Sequence, residues 1–235
     1  MFSTTLAIIL LSVFSVNKTQ GCPLCENYEE EMKAKAIIAE INAPATLAEI
    51  VKNNTNYFMW YFALDKLNDQ ALLLEVVNNG VVDEARGWAV DKLKDQELLT
   101  EFAKNSQSSW VRGAAVSRIA DLDLVTKIAT TDVDGSVRNI ALMRLTNQVL
   151  IAEIAKNDKD SSVRGTAVSK LENRTLLAKI AKNDKDPDIR RAAKEKFNAM
   201  PKQPLNKSTI TTLLLCTAVV FLVILGGVAV WKKKP

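Results

Sequence analysis

The sequence predicts an all-α protein, a right-handed α-solenoid of ~26-residue two-helix repeats followed by one C-terminal transmembrane helix. Three observations predict it. Arg86, Arg112, Arg138, Arg164 and Arg190 stand 26 residues apart without drift. The apolar residues around them recur at helical spacing. An uncharged run from Ser208 to Trp231 ends at Lys232, Lys233 and Lys234.

The two ends predict targeting. Leu6 to Val16 is an apolar run of signal-peptide length, too short to span a bilayer comfortably. Thr19 and Gly21 place small residues at −3 and −1 for a cut before Cys22. Residues 1–21 are therefore expected to be a secretory signal, with an uncleaved anchor as the alternative. A cut there also suits lipid attachment at Cys22. Residues 22–33 form an N-terminal segment carrying the Cys22–Cys25 C-x-x-C pair, 34–198 the repeats, and 199–208 a linker. The run at 209–231 has the roughly 20 apolar residues that a span needs, and 232–235 form a basic tail on the cytoplasmic side. Together these predict a single-pass type I membrane protein with an extracytoplasmic repeat body: periplasmic, cell-surface or lumenal.

Within the repeats, three positions after each arginine stands Ala89, Ala115, Ala141, Ala167 or Ala193, and seven after it Leu93, Ile119, Leu145, Leu171 or Phe197. The second half of each unit runs Leu98-Leu99, Leu124-Val125, Leu150-Ile151 and Leu176-Leu177. Phe102, Ile128, Ile154 and Ile180 follow, each with an alanine behind it. The lattice extends backward with Trp60 in the arginine slot, through Ala63, Leu67, Leu72, Leu73, Val76 and Val77. It then reaches a degenerate first register containing Ile37, Ile41, Leu47, Ile50 and Val51. Each unit reads as two short helices. In SSVRGTAVSKL the stripe is Val163, Ala167 and Leu171; in RTLLAKIAKN it is Leu176, Leu177, Ile180 and Ala181. Asp and Ser between units supply N-caps, and Pro187 suits the start of the last helix. The short unit predicts a second helix that is short or partly 3₁₀.

The D-rich turn, the VR pair, the alanines, and the LL and IA pairs resemble the HEAT-like class of helical repeats, closest to the leucine-rich repeat variant, over roughly residues 34–198. HEAT units of about 40 residues are longer. The resemblance implies a helical-repeat architecture and is almost silent on function. The repeat arginines Arg86, Arg112, Arg138, Arg164 and Arg190 are expected to be structural, pairing with an aspartate or capping carbonyls of a neighbouring unit. The competing reading is a row of anion sites.

Composition narrows the chemistry. The chain has no histidine, the commonest general base and metal ligand. No phosphate loop, nucleophile elbow or metal-ligand cluster is present, so no enzyme activity, catalytic residue, metal or cofactor is expected. Between Cys22 and Ser208, 27 basic residues face 27 acidic ones, a neutral body with no footprint for nucleic acid. The charge is polarised: net −7 from Cys22 to Glu153 and net +7 from Ile154 to Ser208. The positive half suits anionic headgroups. Cys22 and Cys25 read as a disulfide or a cleavage-site cysteine, with thiol-redox chemistry as the alternative. Tyr57 through Phe62 form a run of bulky side chains that cannot all face one core. Tyr57, Tyr61, Trp88 and Trp110 are therefore either candidate partner-binding residues or an aromatic cap on the repeats. The functional expectation is a non-enzymatic, membrane-anchored protein-binding scaffold. The alternatives are a thiol-redox protein and a nucleic-acid binder of the helical-repeat type.

Overall fold

The computed structural model describes residues 23–201. Those residues form thirteen α-helices: α1 (Pro23–Ala39), α2 (Pro44–Asn53), α3 (Tyr57–Lys66), α4 (Gln70–Asn79), α5 (Asp83–Lys92), α6 (Gln96–Asn105), α7 (Ser109–Arg118), α8 (Leu122–Thr131), α9 (Gly135–Arg144), α10 (Gln148–Asn157), α11 (Ser161–Lys170), α12 (Arg174–Asn183) and α13 (Pro187–Ala199). They fall into two compact units, one ending at Leu171 and the other beginning at Glu172.

The first unit explains the 26-residue period. From α2 to α11 every helix has ten residues and every turn three, so two helices and two turns make one register. Helices of this length are marginal alone and depend on neighbours. Each second helix packs on the first helix of the following register, as α4 on α5, α6 on α7, α8 on α9 and α10 on α11. First helices also pack on one another in series, α3 on α5, α5 on α7, α7 on α9 and α9 on α11. The buried stripe of a first helix is wider than alanine periodicity alone suggests: Val137, Arg138, Ala141 and Leu142 are all buried in α9. In the second unit α12 packs on α13, burying Leu176, Leu177, Ile180, Ile189 and Ala193.

The turns are built by side chains that satisfy open backbone groups. Asp69, Asp95, Asp121 and Asn147 each accept hydrogen bonds from N–H groups two or three residues ahead, starting α4, α6, α8 and α10. Such caps contribute about 1 kcal/mol each. The residue two before each cap, Leu67, Leu93, Ile119 or Leu145, is buried and ends the preceding helix. Pro187 occupies the first turn of α13, where its missing N–H is harmless.

Several expectations are corrected by these elements. The six second helices are regular α-helices of ten residues, with no 3₁₀ substitution. In the degenerate first register Ala34 and Ile38 are buried, while Ile37 and Ile41 are only half-buried. Among the described residues no helix is long and apolar enough to cross a membrane. A ten-residue helix is about 15 Å long, half of a ~30 Å hydrocarbon layer, and the 17-residue α1 is studded with charges. The fold class is accordingly corrected to thirteen helices in repeat-like packing, none of them a spanning helix, among the described residues, and the single-pass type I placement is withdrawn with it. Residues 209–231, to which the span was assigned, lie outside the described residues, as do the signal segment 1–21 and Cys22.

Candidate functional site

The aromatic run opens α3, capped by Asn56, whose side chain accepts the Met59 N–H. A helix advances about 100° per residue, so the run is divided among faces. Met59 and Trp60 turn inward, with Trp60 only 1% exposed, whereas Tyr57 is 44% exposed. Tyr57 stacks on Tyr61, with centroids 5.6 Å apart, and Tyr61 meets the edge of Trp88 on α5 at 5.5 Å. Trp60 lies beneath, 6.2 Å from Trp88 and 5.0 Å from Tyr57. Three of the four aromatic candidates are therefore one contiguous cluster. Trp110, on α7, makes no ring contact with them. Instead it shares with Trp88 the lining of an open groove of about 390 Å³. Trp88 and Trp110 remain 41% and 54% exposed.

Gly87 and Gly113 make the floor of that groove by close approach. A Cβ on Gly87 would lie 3.1 Å from the Trp110 carbonyl oxygen and 3.3 Å from the Trp110 Cβ. The α7 backbone thus sits directly on α5 and holds the Trp110 ring at the groove wall. A Cβ on Gly113 would meet Ile140 Cδ1 at 2.8 Å.

Asp91 completes the lining. Its side chain has a long contact with the Ser117 hydroxyl, 3.5 Å, and forms no salt bridge with a described residue. Burial raises its carboxyl above the usual aspartate value, against the opposing Arg118 charge and the Ser117 hydrogen bond. Arg118 itself is turned to the backbone, donating to Asp91 O (2.6 Å) and Leu93 O (3.3 Å).

That use of Arg118 belongs to a periodic set not noticed in the sequence. Lys66, Lys92, Arg118, Arg144 and Lys170 also recur every 26 residues, six after each arginine slot. Each donates to carbonyls ending the first helix of the preceding register. Lys66 reaches Ile38, Ala39 and Ile41, Lys92 reaches Leu64 and Asp65, Arg144 reaches Val116, and Lys170 reaches Met143. Gln70 and Gln96 form a third set. Each side-chain amide donates to one backbone carbonyl and accepts one N–H of the next turn, Lys92 O and Lys94 N for Gln70, Arg118 O and Ala120 N for Gln96.

The repeat arginines lie inside the stack. Arg112 donates from Nε and Nη2 to both carboxylate oxygens of Asp132 (2.9 Å each) and from Nη1 to Ser106 O and Gln107 O. Arg138, 2% exposed, does the same with Asp158 (2.8 and 2.7 Å), Asp132 O and Val133 O. Arg164 Nη1 donates to Asp158 O, and Arg190 Nη1 to Asp184 O and Lys185 O. Arg86 has Ser106 where the later registers carry aspartate twenty residues on, and binds Val77 O and Asp83 instead. Asp134 and Asp160 are N-caps rather than arginine partners.

Cys25 falls in the first turn of α1, its side chain outside the description, so the thiol pair lies beyond the described residues. Among the described residues no group of three or more His, Cys, Asp or Glu side chains is placed to hold a metal. No family model, no curated protein and no solved structure matches the chain.

Proposed function

We propose that this chain is a non-enzymatic protein-binding scaffold, built from HEAT-like repeats of the leucine-rich repeat variant kind, whose partner surface is the aromatic face shared by α3, α5 and α7. One observation carries the reading. Trp60 is buried, yet Trp88 and Trp110, on the next two first helices, stand half in solvent beside an open groove. A large indole left half in solvent adds less to folding than a buried one, and interface anchors are enriched in tryptophan and tyrosine. The repeat arginines Arg86, Arg112 and Arg138, by contrast, are occupied by carboxylates and backbone carbonyls, which supports a structural role for them rather than an anion-binding row.

Trp110→Ala is the discriminating variant. It keeps the Cβ and backbone that pack on Gly87 and removes only the ring. Photo-cross-linking of the full chain from its native source, before and after the substitution, measures partner capture, and circular dichroism measures folding. The expected outcome is loss of capture, by about 2 kcal/mol or more in affinity, with the melting temperature held. A large fall in melting temperature with capture retained would make the aromatics a cap. Trp88→Ala is less clean, because its ring also supports Trp60 and Tyr61.

A further inference from the structure

The groove between α5 and α7 combines two exposed indoles, a glycine floor and a carboxylate in no salt bridge with a described residue. On α3, α5 and α7 the basic side chains are already engaged. Lys66, Lys92 and Arg118 bind helix-terminal carbonyls, Arg86 binds Val77 O and Asp83, and Arg112 is locked to Asp132. Of the acidic side chains there, Asp83 is paired with Arg86, whereas Asp65, Glu84 and Asp91 form no salt bridge with a described residue. Asp91 is the one charged side chain among the described residues lining the groove, so the charge that its wall presents to a visitor is negative.

We infer that the groove receives an arginine side chain of a partner polypeptide, its guanidinium stacked against the Trp88 and Trp110 indoles and paired with the Asp91 carboxylate. A planar guanidinium suits this better than an ammonium, because it stacks on aromatic faces and presents forked donors to a carboxylate. Its aliphatic stem lies over the apolar floor while the charged head stays at the rim. Within the fold the exposed Asp91 carboxylate has the Arg118 charge nearby and a long contact from the Ser117 hydroxyl, so its oxygens are open to the donors of a partner. A bound guanidinium supplies the forked donors that the fold does not. The inference rests on the protein-binding reading above and names the chemistry of the partner.

The test uses the full chain and three fluorescein-labelled peptides of glycine and serine interspersed with arginine, citrulline or lysine, read by anisotropy at fixed salt. Citrulline keeps the shape of arginine and removes its charge. Arginine peptide is expected to bind at least about tenfold more tightly than citrulline peptide, the scale of a charge-assisted hydrogen-bonded pair. Asp91→Asn should erase that difference while leaving the melting temperature unchanged or higher, and Trp110→Ala should weaken the arginine peptide by about tenfold. Equal binding of arginine and citrulline peptides, an Asp91→Asn chain that still prefers arginine, or lysine peptide binding as tightly as arginine would each overturn the assignment. If no peptide binds while Trp110→Ala still abolishes cross-linking, the arginine site fails and the scaffold reading stands. If the arginine preference holds while cross-linking survives Trp110→Ala, the site stands and the wider surface is elsewhere.

Discussion

Asp158 holds together three pieces of chain. Its carboxylate takes both forks of Arg138 and the N–H of Asp160, while its own carbonyl accepts from Arg164. Removing it strands a guanidinium that is almost wholly buried, so Asp158→Ala should cost roughly 3–5 kcal/mol. Asp134→Ala removes a cap and should cost about 1 kcal/mol. Urea denaturation of the two variants measures the difference, and equal losses would mean the buried pair is not the stronger tie. The same carboxylates set the acid limit. Burial pushes Asp158 up, but the Arg138 hydrogen bonds, the Asp160 N–H and the Arg138 charge outweigh it and hold it below the usual aspartate value. Asp160 is lowered first by the Ser162 N–H, and Asp134 is lowered by Ser136, Ser109 and Val137 against its burial. A depressed folded-state carboxylate stabilises above its unfolded value, about 3.9, and loses that contribution as pH falls through the lower folded value. The melting temperature should therefore change little through these groups from pH 7 to about 5 and fall below about 4. Asp91, raised in the fold, works the other way, so Asp91→Asn should flatten none of this acid transition. A melt series across pH checks both.

At the scale of the element, the helices were largely legible. RTLLAKIAKN is α12 residue for residue, and SSVRGTAVSKL overruns α11 by only Leu171, which is its buried end. Repetition aligned the same turn several times over, which is stronger than any single propensity. The 3₁₀ expectation failed because the turns are shorter than a Gly- or Pro-based loop suggests: an extended apolar residue, a spacer and an Asp or Asn cap suffice. The site was half legible. Six bulky residues in a row cannot hide in one stripe, so the aromatics stood out. Asp91 and the glycine floor did not, because a glycine reads locally as a helix weakness. Only the seating of α7 on α5 turns Gly87 into a place for backbone. That seating makes a prediction. Gly113→Ala confronts only the mobile end of Ile140 and recovers up to about 1 kcal/mol of helix propensity, so it should be neutral or stabilising. Gly87→Ala confronts the Trp110 carbonyl and should lower the melting temperature relative to Gly113→Ala. The reverse order would mean the two helices are not in close backbone contact.

Across the first unit as a whole, fastening is uneven. Arg112 and Arg138 each carry an aspartate clasp to the following register, but Gly80 and Ser106 occupy the aspartate slot earlier in the chain, and Arg86 turns to Asp83. Local opening follows the density of such ties. Amide hydrogen exchange should therefore be faster in α4 and α5 than in α9 and α10, and replacing Ser106 with aspartate should slow exchange there. Uniform protection from α4 to α10 would show that packing of the apolar stripe, not the clasps, governs opening. The arithmetic of the register has a different consequence. Because ten, three, ten and three residues bring the chain back to the same phase, a whole register can be duplicated or lost in inheritance without shifting the phase of its neighbours. The length of such a chain is free to drift under selection, while the aromatic groove, confined to three first helices, travels intact.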